Sequence, residues 1–519
     1  MLPLSLIVAG SLLSSVFCAI GPSSDLHIVN KRISPDGFTR STVLAGSDPS
    51  QAMFPGPVIT GFKGSRFLLN VIDSLTDDTM DRVTTVHWHG LYQQGSIWED
   101  GVEGVSQCPI VPGHSYLYDF KVHKQAGTYW YHSHLSAQYC DGLRGAFVVY
   151  DRLDPHRWLY DIDDESTIIT LADWYHAPSL TGTIKSLPDS ILINGNGRYL
   201  GGPATPFSIV NVIQNKRYRF RLVAMSCASN FVFGIDGHDM TIIEADGVSL
   251  QPITVDELQI FAGQRYSFIL AADQPVDNYW IRANPNKGPP GFDGGLNSAI
   301  LRYSGAPSVD PITPSTIRSS PLIETNLHPL ENIGALDRAL RKDADIAINL
   351  ELSINTENET FNINRSRFFT PSMPVLLQIM SGKQSAQDLL PSGSVYTLPH
   401  NKVIEISIPG GLNGSPHPFH LHGHTFDVVR SAGSQEYNYH NPVRRDVVST
   451  GFAGDNVTIR FVTDNSGPWI LHCHIDWHLR AGMAVVFAED TRSISSMVPP
   501  ESWDQLCPIY NAFNTPLAG

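Results

Sequence analysis

Four His-x-His pairs constrain this chain more than any other feature: His87/His89 and His132/His134 early, His420/His422 and His472/His474 late. Side chains two apart on a strand leave the same face, so each pair presents two imidazoles in one direction. The sequence around the pairs repeats as well. "GTYWYHSHLSAQ" (127–138) resembles "GPWILHCHIDWH" (467–478), and "TVHWHGLY" (85–92) resembles "PFHLHGHTF" (418–426). The expectation is two copies of one domain, at opposite ends of the chain, with their histidine-bearing faces turned together. Neutral imidazoles gathered in that way hold about three metal ions, with open positions for a small molecule.

"WILHCHIDWHL" (469–479) adds a second site. Strand parity sends Cys473 to the face opposite His472 and His474. His417, three residues before His420, has the opposite parity to its own pair, and His478 follows Cys473 by five. Cys473, His417 and His478 therefore form a separate site, with Met483 available as a weak axial ligand. Two histidines, a cysteine and a long axial methionine make the blue-copper electron-transfer arrangement. Cys473 then holds one copper while its two neighbours hold ions of the cluster, which wires electron entry to electron use. Zinc also suits histidine, but it moves no electrons and needs no cysteine between two sites. A copper-storage protein has no need of wired sites either. His424, His238 and His114 read as structural or exposed.

The remainder of the chain reads as all-β. Runs such as "RFLLNVI" (66–72), "AFVVY" (146–150), "TIITLADW" (167–174), "RYRFRLV" (217–223), "RYSFIL" (265–270), "VIEISI" (403–408), "NVTIRFV" (456–462) and "MAVVFAE" (483–489) alternate and are rich in β-branched and aromatic residues. Glycine (42) and proline (36) are scattered between them, which favours short strands and turns over helices. One short helix is expected over "NIGALDRALRKD" (332–343). Asp/Pro- and Pro/Ser-rich connections at 151–158 and 305–321 divide the chain into domains at 19–152, 153–322 and 323–519. The middle domain has no His-x-His pair.

Residues 1–18 carry no charge and are too short and Ser-interrupted to span a bilayer; they read as a signal peptide cut near Cys18–Ala19. Secretion leaves an odd number of cysteines, Cys108, Cys140, Cys227, Cys473 and Cys507. Cys473, flanked by histidines, is the one with another job, and the rest can form disulfides. Sequons at Asn358, Asn364, Asn413 and Asn456 fit the same compartment. The formal charge of −15 argues against nucleic acid or an anionic membrane as partner.

HWHG (87–90), HSH (132–134), HPFHLHGH (417–424) and HCHIDWH (472–478) together resemble the multicopper oxidases. "SPDGF", "PGPVITG", "YCDGLRG", "NPVRRDVVSTG" and "AVVFAED" extend the resemblance over most of the chain, toward the secreted fungal laccases. The resemblance implies three cupredoxin-like Greek-key β-sandwich domains and a monomer. It implies one-electron oxidation of phenolic or aromatic donors, with O2 reduced to water; a ferroxidase on the same scaffold is the alternative and would need carboxylates beside His417 and His478. Carried over, His417, Cys473 and His478 bind the type 1 copper and His87 and His420 the type 2 copper. His89, His132, His134, His422, His472 and His474 bind the type 3 pair, making about four ions in all. Cys108–Cys507 and Cys140–Cys227 are the implied disulfides, and Asp100 and Asp446 the acids of proton supply. Two positions depart from the commonest pattern. Met483 stands where Leu or Phe is usual, which lowers the expected potential. Ala228 stands where an acid usually takes the phenol's hydrogen bond, which weakens the expected phenol affinity.

Overall fold

The computed structural model describes residues 19–312, 318–331 and 343–514. The signal-peptide segment, and all but the last residue of the helix expected over 332–343, lie outside the described residues.

Three pairs of sheets follow one another along the chain. In the first pair, one sheet runs Arg40–Gly46, Ser23–Ile33, Arg66–Ser74, Ser115–Lys121, and the other Gly56–Phe62, Arg144–Tyr150, Gly127–Ser133, Val86–His89. The middle pair is a seven-stranded sheet centred on Arg217–Ala224 against a five-stranded one. In the last pair, one sheet runs Ile346–Asn349, Val403–Pro409, Asn456–Val462, Phe426–Arg430, Arg444–Arg445. The other runs Val395–Leu398, Ala484–Glu489, Gly467–Cys473, Pro418–Leu421, Val447–Ser449. The architecture is all-β and cupredoxin-like.

The eight strand-like runs fall in strands, with Thr167 and Met483 just outside theirs. Among the described residues the longest helix is Leu506–Asn514, tied to the first sandwich by Cys108–Cys507. Burial explains why the strands differ in composition. Arg66–Ser74 alternates, with Phe67, Leu69 and Val71 buried on one face only, as in a sheet with one solvated face. Gly127–Ser133 and Gly467–Cys473 are buried at every position, because one face meets the sandwich core and the other meets the opposite end of the chain. Each large apolar side chain so buried contributes about 1.5–3 kcal/mol; Trp130 and Trp469 are among the largest.

Candidate metal centre

The repeat seen in the sequence is a repeat in register. Val86–His89 pairs antiparallel with Gly127–Ser133, which puts His87 opposite His132. Pro418–Leu421 pairs with Gly467–Cys473 in the same sense, which puts His420 opposite His472. The strands end early, so His134, His422 and His474 sit one residue beyond theirs. Parity still sends both members of each pair inward, but to different groups. His89, His132 and His474 gather in one, His134, His422 and His472 in another, and His87 and His420 close on His89, with ligand atoms in each group within 4.8 Å of one another.

Backbone carbonyls fix the tautomers. Nδ1 of His87 donates to Asp100 O (2.7 Å), of His132 to Ser133 O (2.8 Å), of His420 to Asp446 O (2.8 Å) and of His472 to Cys473 O (3.0 Å). A carbonyl only accepts, so each of these rings turns an Nε2 lone pair into the centre. The buried Nε2 atoms of His87, His132, His134 and His420 have no hydrogen-bond partner, an expensive arrangement in a dry interior. Elsewhere nitrogen faces nitrogen: His422 Nε2 and His472 Nε2 at 3.2 Å, His474 Nε2 and His89 Nδ1 at 3.2 Å. Burial, then neighbouring imidazoles, holds His89, His132, His134, His420, His422 and His474 well below the usual imidazole value. Burial takes His472 down to about 3. These seven rings are held neutral, which is the state a metal cluster requires.

Asp100 and Asp446 stand just outside this cluster. Asp100 Oδ2 accepts from His422 Nδ1 (2.9 Å), and Asp446 Oδ1 accepts from His89 Nε2 (3.3 Å). Burial raises both carboxyls, against His87 at Asp100 and against Arg265 at Asp446. Arg265 grips Asp446 with two bonds, 2.6 and 2.7 Å. Two residues earlier Gly263 (φ +84°) passes so near His474 that a Cβ would lie 2.8 Å from its ring. The middle sandwich thus props the cluster, a role the sequence did not show for Gly263 or Arg265; a buried arginine beginning the strand "RYSFIL" was the available signal.

The second site lies on the other face of Gly467–Cys473. Cys473 Sγ is 3.5 Å from His417 Nδ1 and 3.6 Å from His478 Nδ1, and the two nitrogens are 3.1 Å apart. The centre of that triangle is about 2.0 Å from each corner, the reach of a first-row metal to nitrogen and sulfur. His417 Nε2 donates to Leu412 O (2.9 Å), which leaves its Nδ1 lone pair facing the sulfur. Burial takes His417 down to about 4 and pushes the Cys473 thiol up to about 12, so the free site keeps a proton on sulfur that a metal must displace. Of the three, His478 alone reaches toward solvent, 6% exposed against 1% for His417 and 0% for Cys473. Phe361 packs on its ring at 4.7 Å, and Met483 is fully buried. Ala228 is buried in a turn whose amides, Cys227, Ala228 and Ser229, all donate to Asp173 (2.7, 2.8 and 3.0 Å). The Asp173 carboxylate is therefore committed to the turn and does not replace the missing acid. Lys287, which the sequence did not single out, is the charged side chain that acts on His417, Cys473 and His478 alike.

His424 lies two residues after His422 yet stays out of the cluster. Gly423 takes φ +71°, which turns the chain, and His424 Nε2 pairs with Glu489 at 3.1 Å instead. Both implied disulfides are present, and Cys473 is free and buried.

The chain as a whole is similar to known proteins. Multicopper oxidase family profiles match residues 28–154, 165–306 and 368–493. Laccase-1 of Pleurotus ostreatus is 59% identical over 515 residues, 98% of this chain and 97% of its own. The laccase of Phlebia radiata is 57% identical over 514 residues, 98% of each. Among solved structures, the laccase from Botrytis aclada superposes with a TM-score of 0.80 at 30% identity, over 96% of this chain and 93% of that one. A multicopper oxidase that functions in iron import gives 0.80 at 25% identity, over 94% and 95%. The chain belongs to the multicopper oxidase family. Within it the function is laccase-like, a copper-dependent oxidase similar throughout its length to the fungal laccases.

Proposed function

We propose that the enzyme is a secreted monomer that oxidises phenolic and aromatic donors at His417–Cys473–His478 and reduces O2 at the eight-histidine cluster. The domain divisions are 19–152, 153–322 and 323–519, with the middle domain on the donor side. The observation that carries the reading is the position of Cys473: its sulfur belongs to one site while His472 and His474, its covalent neighbours, belong to the other. Bound copper supplies the redox chemistry, as one type 1 ion, one type 2 ion and a type 3 pair. His417, Cys473 and His478, with Met483 available as a weak further ligand, would hold the type 1 ion, His87 and His420 the type 2 ion, and His89, His132, His134, His422, His472 and His474 the type 3 pair.

The protein's own residues do the rest. His478 presents the solvent-facing edge to the donor. The backbone from Cys473 through His472 and His474 is the electron's route inward. Asp100 and Asp446 stand beside the cluster as acids whose affinity for a proton is raised by burial, which suits them to pass protons to it. A cavity of about 120 Å³ lined by His134, Glu103, Ser136, Phe369 and Arg480 ends on the cluster at His134, and Phe369 at its rim is exposed; it is the path for O2 and water. A ferrous donor is disfavoured because the positive charge of Lys287 bears on His417, Cys473 and His478.

The test is one copper-loaded sample assayed for metal content, visible absorption and oxygen uptake with a phenol, a non-phenolic dye, ascorbate and Fe2+. About four ions per chain, a blue band, and fast uptake with phenol and dye are expected on coordination grounds. Uptake fastest with Fe2+ would overturn the donor assignment.

A further inference from the structure

The half-buried Lys287 lies in a loop packed against the Ala228 turn. It follows the strand Asn278–Pro285, and hydrogen bonds pin its loop against the Ala228 turn. Asn286 N donates to Asn230 O (3.0 Å) and Asn230 N to Asn286 Oδ1 (2.8 Å), while Ser229 Oγ donates to Lys287 O (3.3 Å). The same turn is fastened to the helix that carries His478, because Asp476 N donates to Cys227 O (2.8 Å). The loop, the turn and His478 are thus one rigid rim. Burial lowers the basicity of the Lys287 ammonium, and the charges that act on it are Cys473 and Asp173. Asp173 is spent on three backbone amides, and among the described residues no carboxylate is in ion-pair contact with Lys287. The electron-entry rim therefore carries an uncommitted cation and, at Ala228, no competing acid.

We propose that Lys287 is a specificity-determining residue that pairs with an anionic substituent of the aromatic donor, so that the enzyme favours phenols carrying a carboxylate over neutral phenols with the same ring. This rests on the reading that electrons enter at His478. The carboxylate is not consumed: the ring gives up one electron and its phenolic proton, as in the oxidation of any phenol, while the charge pair holds the ring against His478. A charge-assisted contact in a partly dry rim is stronger than an exposed pair.

The probe is a matched pair, 3-(4-hydroxy-3-methoxyphenyl)propanoate and its amide, whose side-chain methylenes insulate the ring from the change of charge. The readout is the ratio of their kcat/KM values in the full-length holoenzyme, since a changed copper potential moves both donors together and leaves the ratio alone. Lys287→Met should lower the ratio about tenfold, the equivalent of 1.4 kcal/mol, and Lys287→Arg should keep it. In an equilibrium measurement independent of turnover, binding of the non-oxidisable 3-(4-methoxyphenyl)propanoate should weaken by the same factor in Lys287→Met. Added salt should erode the wild-type ratio, a check that needs no variant to fold. An unchanged ratio in Lys287→Met, or a wild-type ratio indifferent to salt, overturns the proposal. If the wild type is colourless and oxidises neither donor, the reading of the site itself has failed.

Discussion

In the first sandwich, the positions that match His417, Cys473 and His478 in the third are Thr84, Ser133 and Gln138, and Leu143 matches Met483. The two sets occupy the same places in the same sheet order. Thr84 Oγ1 and Ser133 Oγ both donate to Gln138 Oε1 (2.8 and 2.7 Å), and Gln138 Nε2 donates to Val83 O (2.8 Å) and Asp81 O (3.1 Å). That cluster is complete without a ligand. In the third sandwich the same three positions turn two imidazole lone pairs and a thiol toward one point. The scaffold accepts either solution. Donor chemistry alone decides whether the pocket closes on itself or waits for a metal.

The comparison is broken most completely by Cys473→Ser, which installs the first sandwich's residue in the third. A hydroxyl is a hard, poor ligand here, so the blue absorption and the turnover should vanish together. Retained colour in the visible spectrum would refute the assignment.

Copper removal tests the same contrast through pH. His417 has a folded value of about 4, below its unfolded value near 6.5. The unfolded chain therefore binds more protons between those values, and stability is lost as pH falls through that window. For His417 the cost by pH 4 is on the order of 3 kcal/mol, and His89, His132, His134, His420, His422, His472 and His474 shift in the same direction. Thermal unfolding of the copper-free protein should drop steeply from pH 6.5 to 4, and that of the holoenzyme far less. Parallel curves would show that the histidines are not held neutral.

Gln138→Leu attacks the ligand-free counterpart. It leaves the Thr84 and Ser133 hydroxyls buried without their acceptor, a penalty of about 2 kcal/mol, and should lower the unfolding midpoint while sparing the blue band. A midpoint equal to wild type would mean that the hydroxyls find other partners.

The smallest effect is expected of Met483→Leu, which matches the site to Leu143. The swap costs less than about 1.5 kcal/mol in packing. Loss of the thioether should raise the type 1 potential in a redox titration and speed oxidation of reluctant donors. An unchanged potential would remove Met483 from the copper.

Much of the centre was legible because strand parity is local. The opposite facing of Cys473 and of His472 with His474 needed only the period of two. Parity could not foresee that members of one pair join different groups, since that depends on how the two end sandwiches dock. Arg265 and Asp446 meet across 181 residues of sequence, and Lys287 reaches the donor rim only through the turn at Ala228. No periodicity encodes such meetings. His424, read from the sequence as structural, lies two residues after His422, and one left-handed glycine turns it toward Glu489 instead of the cluster. The sequon at Asn364 is also qualified by the structure, since its side-chain amide donates to Tyr396 Oη (3.0 Å) and accepts from Glu351 N (2.7 Å).

The cluster's ligands come from both ends of the chain, and Cys108 waits for Cys507, 399 residues further on. A ribosome delivers His87, His89, His132 and His134 first, as a half-built chelator with no partner face. The other half, and every ligand of the blue site, emerges only with the last part of the polypeptide. Synthesis therefore imposes an order on maturation. The full set of ligands exists only once the last strands are in place.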